Sequence, residues 1–192
     1  RSYFMEESVG QAIAGHFRPT LSLALFAELI ALVLALPAGI YAACRRGRPA
    51  DRIVMLLSLL ALAVPSFILG LLLILLLGVL LALFPIGGYA PLEEGLLPHL
   101  RYLVLPALAL GSTQAALIAR MTRAAMAEVL DRNFIRTLVA KGMRGGNVVG
   151  VHALRNALFP ILTAVGQSMA SLLSGAIVVE TVFNIPGLGQ LL

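Results

Sequence analysis

Four cationic side chains lie in the 28 residues from Asn133 to Pro160, between two long apolar runs. Arginine and lysine in such a segment can bind nucleic acid, anionic lipid headgroups or a protein partner. Nucleic acid is not expected here, because the cations gather in two short loops instead of covering one continuous face. The net charge of +5 is therefore interpreted as a sign of membrane orientation.

The other polar residues do not form a recognisable enzyme site. His16, His99 and His152 fall in three separate regions, so no metal site is expected. The one cysteine, Cys44, excludes an internal disulfide and a cysteine-based zinc cluster. The sequence has no glycine-rich phosphate loop followed by Lys-Ser/Thr, so neither ATP nor another cofactor is expected to bind this chain.

The elements that position these residues are predicted to be membrane-spanning helices. The chain is 60% hydrophobic and 12% charged over 192 residues, and soluble domains carry about 25% charged residues. Four stretches have the length of a span: 21–44, 53–84, 103–119 and 157–179. The second is predicted to be one long helix kinked near Pro65. The predicted fold class is all-α, a polytopic transmembrane helix bundle.

The loops predict the sidedness of these spans. Residues 45–52 carry four arginines against Asp51, whereas the loop after the second span carries Glu93 and Glu94. Positively charged loops stay in the cytoplasm, so residues 45–52 and 120–156 are predicted to be cytoplasmic and both ends external. Residues 1–192 are expected to form a single domain. Because Arg1 is not an initiator residue, a segment upstream of it is expected to be missing.

The basic segment is predicted to be a helix, a glycine turn and a second helix. An apolar stripe with helical spacing runs on from the third span, through Ala127, Leu130, Phe134, Leu138 and Lys141. Glu128 and Arg132 are spaced for an ion pair. Gly142 is predicted to be a left-handed cap, Gly145 and Gly146 a flexible corner, and Asn147 the cap of the next helix.

Two interpretations of this stripe remain open on chemistry alone. It is either an amphipathic linker on the lipid surface, where its cations meet anionic headgroups, or a docking helix for a soluble protein partner.

The stretch "FIRTLVAKGM…HALRNALFP" resembles the cytoplasmic EAA motif of permease subunits of binding-protein-dependent ABC importers, in the dipeptide/oligopeptide/nickel subgroup. The matching positions are Phe134, Arg136, Thr137, Ala140, Lys141, Gly142, His152 to Ala157, and Pro160. "DRIVMLLSLLALAVPSFILGLLL" and "VVETVFNIPGLGQLL" also resemble this family, so the likeness covers most of the chain. Leu138 and Val139 depart from the usual Ala and Arg.

The resemblance implies half of a translocation path, with helices two to five of six present. It implies as partners ABC ATPase subunits, a second permease subunit, an extracytoplasmic substrate-binding protein and the lipid bilayer of a bacterial inner membrane. The ATPase-coupling residues would be Phe134, Arg136, Thr137, Leu138, Ala140, Lys141, Gly142 and Met143. The loop facing the binding protein would contain Glu180, Pro186, Gly187 and Gly189.

Polar residues within the spans are candidates for the translocation path, because polar groups at membrane depth face protein or water. They are Glu28, Ser112, Gln114, Gln167 and Ser171. Hydrogen bonding between helices explains each of them equally well. An ion-coupled secondary transporter is the alternative function, and Glu28 is the one ionisable residue that favours it. A membrane enzyme would need a catalytic constellation that the spans lack.

Overall fold

The computed structural model describes residues 9–190, and these contain helices and no β-strand. The all-α prediction is therefore confirmed for the described part of the chain. The helices are α1 (Val9–Cys44), α2 (Pro49–Ala63), α3 (Ser66–Leu73), α4 (Leu96–Leu130), α5 (Asn133–Ala140), α6 (Gly145–Asn147) and α7 (Leu154–Phe183). A π-helical segment, Ile74–Leu80, follows α3, and another, Val148–Ala153, joins α6 to α7. Short 3-10 turns occupy Leu92–Glu94 and Leu188–Gln190.

Within residues 9–190, three helices are long and apolar enough to cross a membrane: Ile13–Cys44, Leu96–Leu130 and Gly145–Phe183. The fourth predicted span is a bent pair, Pro49–Ala63 and Ser66–Leu80, with an angle of 96° between its halves. The prediction of one kinked helix is therefore wrong, although the break falls at the predicted proline. Pro65 has an extended backbone, with φ −57° and ψ 139°, and proline disfavours helical geometry in the residue before it.

The third span is longer than predicted and is not broken at its proline. Pro106 lies inside α4, and this helix continues without interruption from Leu96 to Leu130. In its most apolar stretch 67% of the residues are buried, against 28% for the segment that contains α7. Although Pro106 and the polar residues 112–114 interrupt its apolar run, α4 is therefore the better buried of the two helices, because small alanines allow its neighbours to pack closely.

The described residues form two compact units. The first comprises residues 9–30, 64–112 and 169–190. Its core joins Leu23 and Ala27 of α1 to Leu103 of α4 and to Leu172 and Phe183 of α7. Aliphatic and aromatic side chains make up this core.

The second unit comprises residues 31–63 and 113–168. Its larger core joins Ala43 of α1 and Met126 of α4 to Ile135 of α5, Val148 of the π-helical segment and Ala157 of α7. The basic segment of the sequence is thus anchored to the ends of three spans.

Two glycines allow close approach of helix backbones. A Cβ atom at Gly111 would lie 2.6 Å from the carbonyl oxygen of Ala27 in the first unit. In the second unit, a Cβ atom at Gly39 would lie 2.7 Å from the carbonyl oxygen of Ala119. Gly166 of α7, by contrast, has nothing within 4 Å of such an atom.

We expect Gly111→Ala to lower the thermal stability of the purified full-length protein. The added methyl group meets backbone, which no rotamer change relieves, and overpacking of this kind costs about 1–3 kcal/mol. Gly166→Ala is the matched control: it adds the same methyl group to a helix in open space and should be neutral or slightly stabilising. Equal melting temperatures for the two variants would contradict the close contact.

Candidate functional site

The basic segment is built from α5 and the turn that follows it, and we name residues 133–143 the elbow. The predicted continuous helix from the third span is wrong: α4 ends at Leu130, and α5 begins anew at Asn133. Arg132 between them is extended, with φ −72° and ψ 147°, so the apolar stripe changes direction there. The predicted ion pair is confirmed, with Arg132 Nη2 2.8 Å from Glu128 Oε1.

Gly142 closes the elbow with a left-handed backbone, φ +78°, as its position predicted. Two hydrogen bonds fix the turn: the Gly142 amide donates to the Val139 carbonyl at 2.9 Å, and the Met143 amide donates to Leu138 at 3.2 Å. This pairing is the Schellman motif, which commonly ends a helix at glycine and adds an apolar contact across the turn. Leu138 and Met143 accordingly both pack against the core of the second unit.

The elbow divides its predicted coupling residues between two environments. Leu138 and Met143 are partly buried and anchor the turn. The other predicted residues are exposed: Phe134, Arg136, Thr137, Ala140, Lys141 and Gly142. The exposed set combines an aromatic ring, a hydroxyl and two cations, which can together bind an apolar groove with an acidic rim.

The turn after the elbow differs from its prediction. Gly145 and Gly146 do not form a flexible corner, because both lie in α6. Asn147 does not cap a new helix: its backbone is helical, and Arg144, with φ −61° and ψ 133°, precedes the first turn. The extended residue therefore occurs three positions earlier than the asparagine suggested.

Asp51 and Arg123 form a site that the sequence reasoning missed. Arg123 donates from Nε to Asp51 Oδ1 and from Nη2 to Asp51 Oδ2, both at 2.8 Å. The Gly47 amide donates a third hydrogen bond to Asp51 Oδ2 at 2.9 Å. The separation of 72 positions hides the pair from local patterns. The available signal was an acidic residue among four arginines, two positions after Pro49.

The segment after α7, residues 184–190, folds back onto Glu180, and we name it the terminal loop. Glu180 is fully buried, and its Oε2 accepts a hydrogen bond from the Gly189 amide at 2.8 Å. A Cβ atom at Gly187 would overlap the same carboxylate group. The sequence placed Glu180 in this loop with Pro186, Gly187 and Gly189, but Glu180 lies in α7. Its carboxylate instead lies against Gly187 and Gly189 of the loop.

A second side chain holds the terminal loop from α1. The buried Thr20 hydroxyl accepts a hydrogen bond from the Leu188 amide at 2.9 Å. The loop begins at Asn184, whose left-handed backbone, φ +52°, ends α7 in a conformation that asparagine tolerates. Two polar side chains from two helices therefore bind consecutive amides, which fixes the loop against the first unit.

The candidate path residues do not share one environment. Glu28 and Gln114 are buried, and Ser112 is partly buried. Gln167 and Ser171 lie four positions apart on α7 and are both exposed. The first three residues are therefore part of helix packing, whereas Gln167 and Ser171 are surface residues of α7.

A family model describes the class of protein that this architecture defines. Residues 35–192 match the model of the binding-protein-dependent transport system inner membrane component. The match covers most of the chain, and the chain belongs to this family. It is thus a multi-pass component of an inner membrane, as its apolar helices indicate.

Individual relatives are named as permease proteins for peptides. The chain is 43% identical over 194 residues to the di/tripeptide transport system permease protein DppB of Pseudomonas aeruginosa. It is 41% identical over 184 residues to the glutathione transport system permease protein GsiC of Escherichia coli, and 38% identical over 185 residues to the oligopeptide transport system permease protein AppB of Bacillus subtilis. These alignments cover 91%, 96% and 95% of the chain and 58% of each relative. The chain therefore spans less than two thirds of the length of these curated relatives.

Proposed function

We propose that this chain is the central part of a permease subunit of an ABC importer for short peptides, and that the elbow couples it to a separate ATPase. The observation that carries the coupling proposal is the elbow itself. A Schellman turn and two anchoring side chains hold it rigid, while Phe134, Arg136 and Lys141 remain exposed to a partner. ATP-driven closure of the partner would then move the elbow as a rigid body and change the accessibility of the path.

The proposed sidedness places residues 45–52 and 120–156 in the cytoplasm and the terminal loop outside. The charge difference between the loops supports it. In this orientation the terminal loop faces the substrate-binding protein, and Gln167 and Ser171 lie on the face of α7 offered to the path or to the second permease subunit. Glu28, Ser112 and Gln114 would contribute to the path through helix packing.

Site-directed crosslinking tests the coupling proposal. In a full-length Cys44→Ser background, a crosslinker attached through Arg136→Cys should capture the ATPase subunit. The same reagent at Gln190→Cys, an exposed position in the terminal loop, should not capture it. An impermeant thiol reagent added to intact cells should label Gln190→Cys alone. Labelling of Arg136→Cys from outside, or no ATPase captured there, would contradict the proposal.

The proposed cargo is a short peptide, because the named relatives transport dipeptides, tripeptides, oligopeptides and glutathione. Proteoliposomes containing the full transporter should accumulate a radiolabelled tripeptide when ATP and the binding protein are both supplied. Uptake that persists without ATP and follows an ion gradient would favour the secondary transporter instead.

A further inference from the structure

The helix α2 has few contacts that hold it to the second unit. Its buried residues are Asp51 and Ser58, and Ser58 donates its hydroxyl to Val54 of the same helix at 2.8 Å. Within the described chain, no residue of α2 belongs to the apolar cores of this unit. Asp51, through Arg123, makes a charged side-chain contact between α2 and α4.

The attachment is a built site with fixed geometry. Arg123 presents two parallel N–H groups to the two oxygens of Asp51, and the Asp51 residue is 4% exposed. Two-pronged contacts of this kind fix orientation as well as distance, which a lysine cannot reproduce. Gly47, with φ +77°, turns its amide to the same carboxylate and binds the preceding loop to it.

The neighbouring pair provides the contrast. Arg46 Nη1 lies 2.6 Å from Asp131 Oδ2, but the two side chains are 59% and 69% exposed. Exposed pairs contribute little because water and salt screen them. Two ion pairs thus connect residues 45–52 to α4 and to the residue that follows it, and the pair between Asp51 and Arg123 is the less exposed of the two.

We infer that Asp51 and Arg123 are positioning residues that make α2 move together with the elbow, an inference that rests on the proposed coupling function. Arg123 lies on α4 ten residues before α5 begins, and the end of α4 shares its apolar core with Ile135 of α5. A displacement of the elbow therefore reaches α4 through apolar packing. It reaches α2 through the ion pair, and from α2 it continues to the 96° bend before α3.

Spin-label distances in the full transporter test this connection. One pair of labels, at Arg52→Cys and Arg136→Cys, joins exposed positions on α2 and the elbow in a Cys44→Ser background. A second pair uses the native Cys44 and Arg136→Cys, and it joins the end of α1 to the elbow. In the otherwise unchanged protein both pairs should give narrow distance distributions that stay the same with and without ATP.

Asp51→Asn should broaden the α2–elbow distribution and leave the α1–elbow distribution narrow, because Ala43 holds α1 through the apolar core. Import should fall about tenfold while ATP hydrolysis continues. Arg123→Lys keeps the charge and loses the second N–H contact. It should likewise broaden the α2–elbow distribution, leave the α1–elbow distribution narrow and lower import while ATP hydrolysis continues. Arg46→Gln, which breaks the exposed pair, should leave both distance distributions narrow and should change import by no more than about twofold.

An unchanged α2–elbow distribution together with normal import in Asp51→Asn would overturn the inference. Failure of both Asp51→Asn and Arg123→Lys to assemble would also overturn it, since the pair would then be a requirement for folding. The proposed function fails in a different way: no ATPase is captured at Arg136→Cys, whatever the spin labels report.

Discussion

Gly142→Ala is expected to reduce both import and transport-stimulated ATP hydrolysis by about 5- to 30-fold. The added methyl group has open space around it, so the effect comes from the backbone alone. A residue with a Cβ atom pays about 1–2 kcal/mol in the left-handed conformation, and this energy changes the population of the turn by about that factor. Without the turn, Leu138 and Met143 lose their common anchor and Phe134 changes its direction.

Two control variants test whether the loss of activity comes from the left-handed backbone of Gly142. Gly146→Ala adds the same methyl group four residues later, in α6 and also in open space, and should leave both activities within about twofold. Gly142→Asn should retain more activity than Gly142→Ala, because asparagine tolerates positive φ. Both rates are measured in proteoliposomes with the ATPase and the binding protein present. If Gly142→Ala and Gly146→Ala behave alike, the left-handed turn does not matter for coupling.

Gly187→Ala is expected to abolish binding-protein-dependent import through steric overlap. The new Cβ atom would occupy the position of the Glu180 carboxylate, which is fully buried. The terminal loop must then be displaced from Glu180, which also breaks the hydrogen bonds that the Leu188 and Gly189 amides donate. We expect more than tenfold weaker association with the binding protein and faster proteolysis of residues 184–190.

A suppressor variant separates overlap from general damage. Glu180→Ala should partly restore Gly187→Ala, because the shorter side chain leaves room for the methyl group. The same change should not restore Gly189→Ala, whose Cβ atom would lie 2.7 Å from the backbone oxygen of Ile177. Glu180→Gln alone should be close to normal, since its amide oxygen can still accept from Gly189. Normal import by Gly187→Ala would contradict the packing of the terminal loop against Glu180.

Local signals predicted the features that depend on neighbours in sequence. The length of the apolar runs gave the helical class, Pro65 marked the break after α2, and Gly142 marked the end of α5. The spacing of Glu128 and Arg132 gave their ion pair. Each of these follows from backbone geometry or from helical spacing within a few residues.

Features set by tertiary contact were not predictable in this way. The pairing of Asp51 with Arg123 requires the start of α2 to meet α4, and no spacing rule brings together residues 72 positions apart. The size of the 96° bend depends on what surrounds Pro65, since proline alone permits a kink as well as a break. The start of α6 at Gly145 overrode the preference of Asn147 for a cap, because Val148 and Ala153 are drawn into the core.

Because the chain is interrupted between α4 and α5, the direction in which α5 presents its exposed side chains does not depend on the axis of α4. Asn133 starts a helix whose axis is set by Ile135, Leu138 and Met143, so its outer side chains can change without any change in the transmembrane core. Under the proposed coupling function, this outer surface can therefore adapt to a different ATPase while the anchored side stays the same. Of the two departures from the family pattern, Val139 lies on the exposed side, whereas Leu138 packs against the core of the second unit.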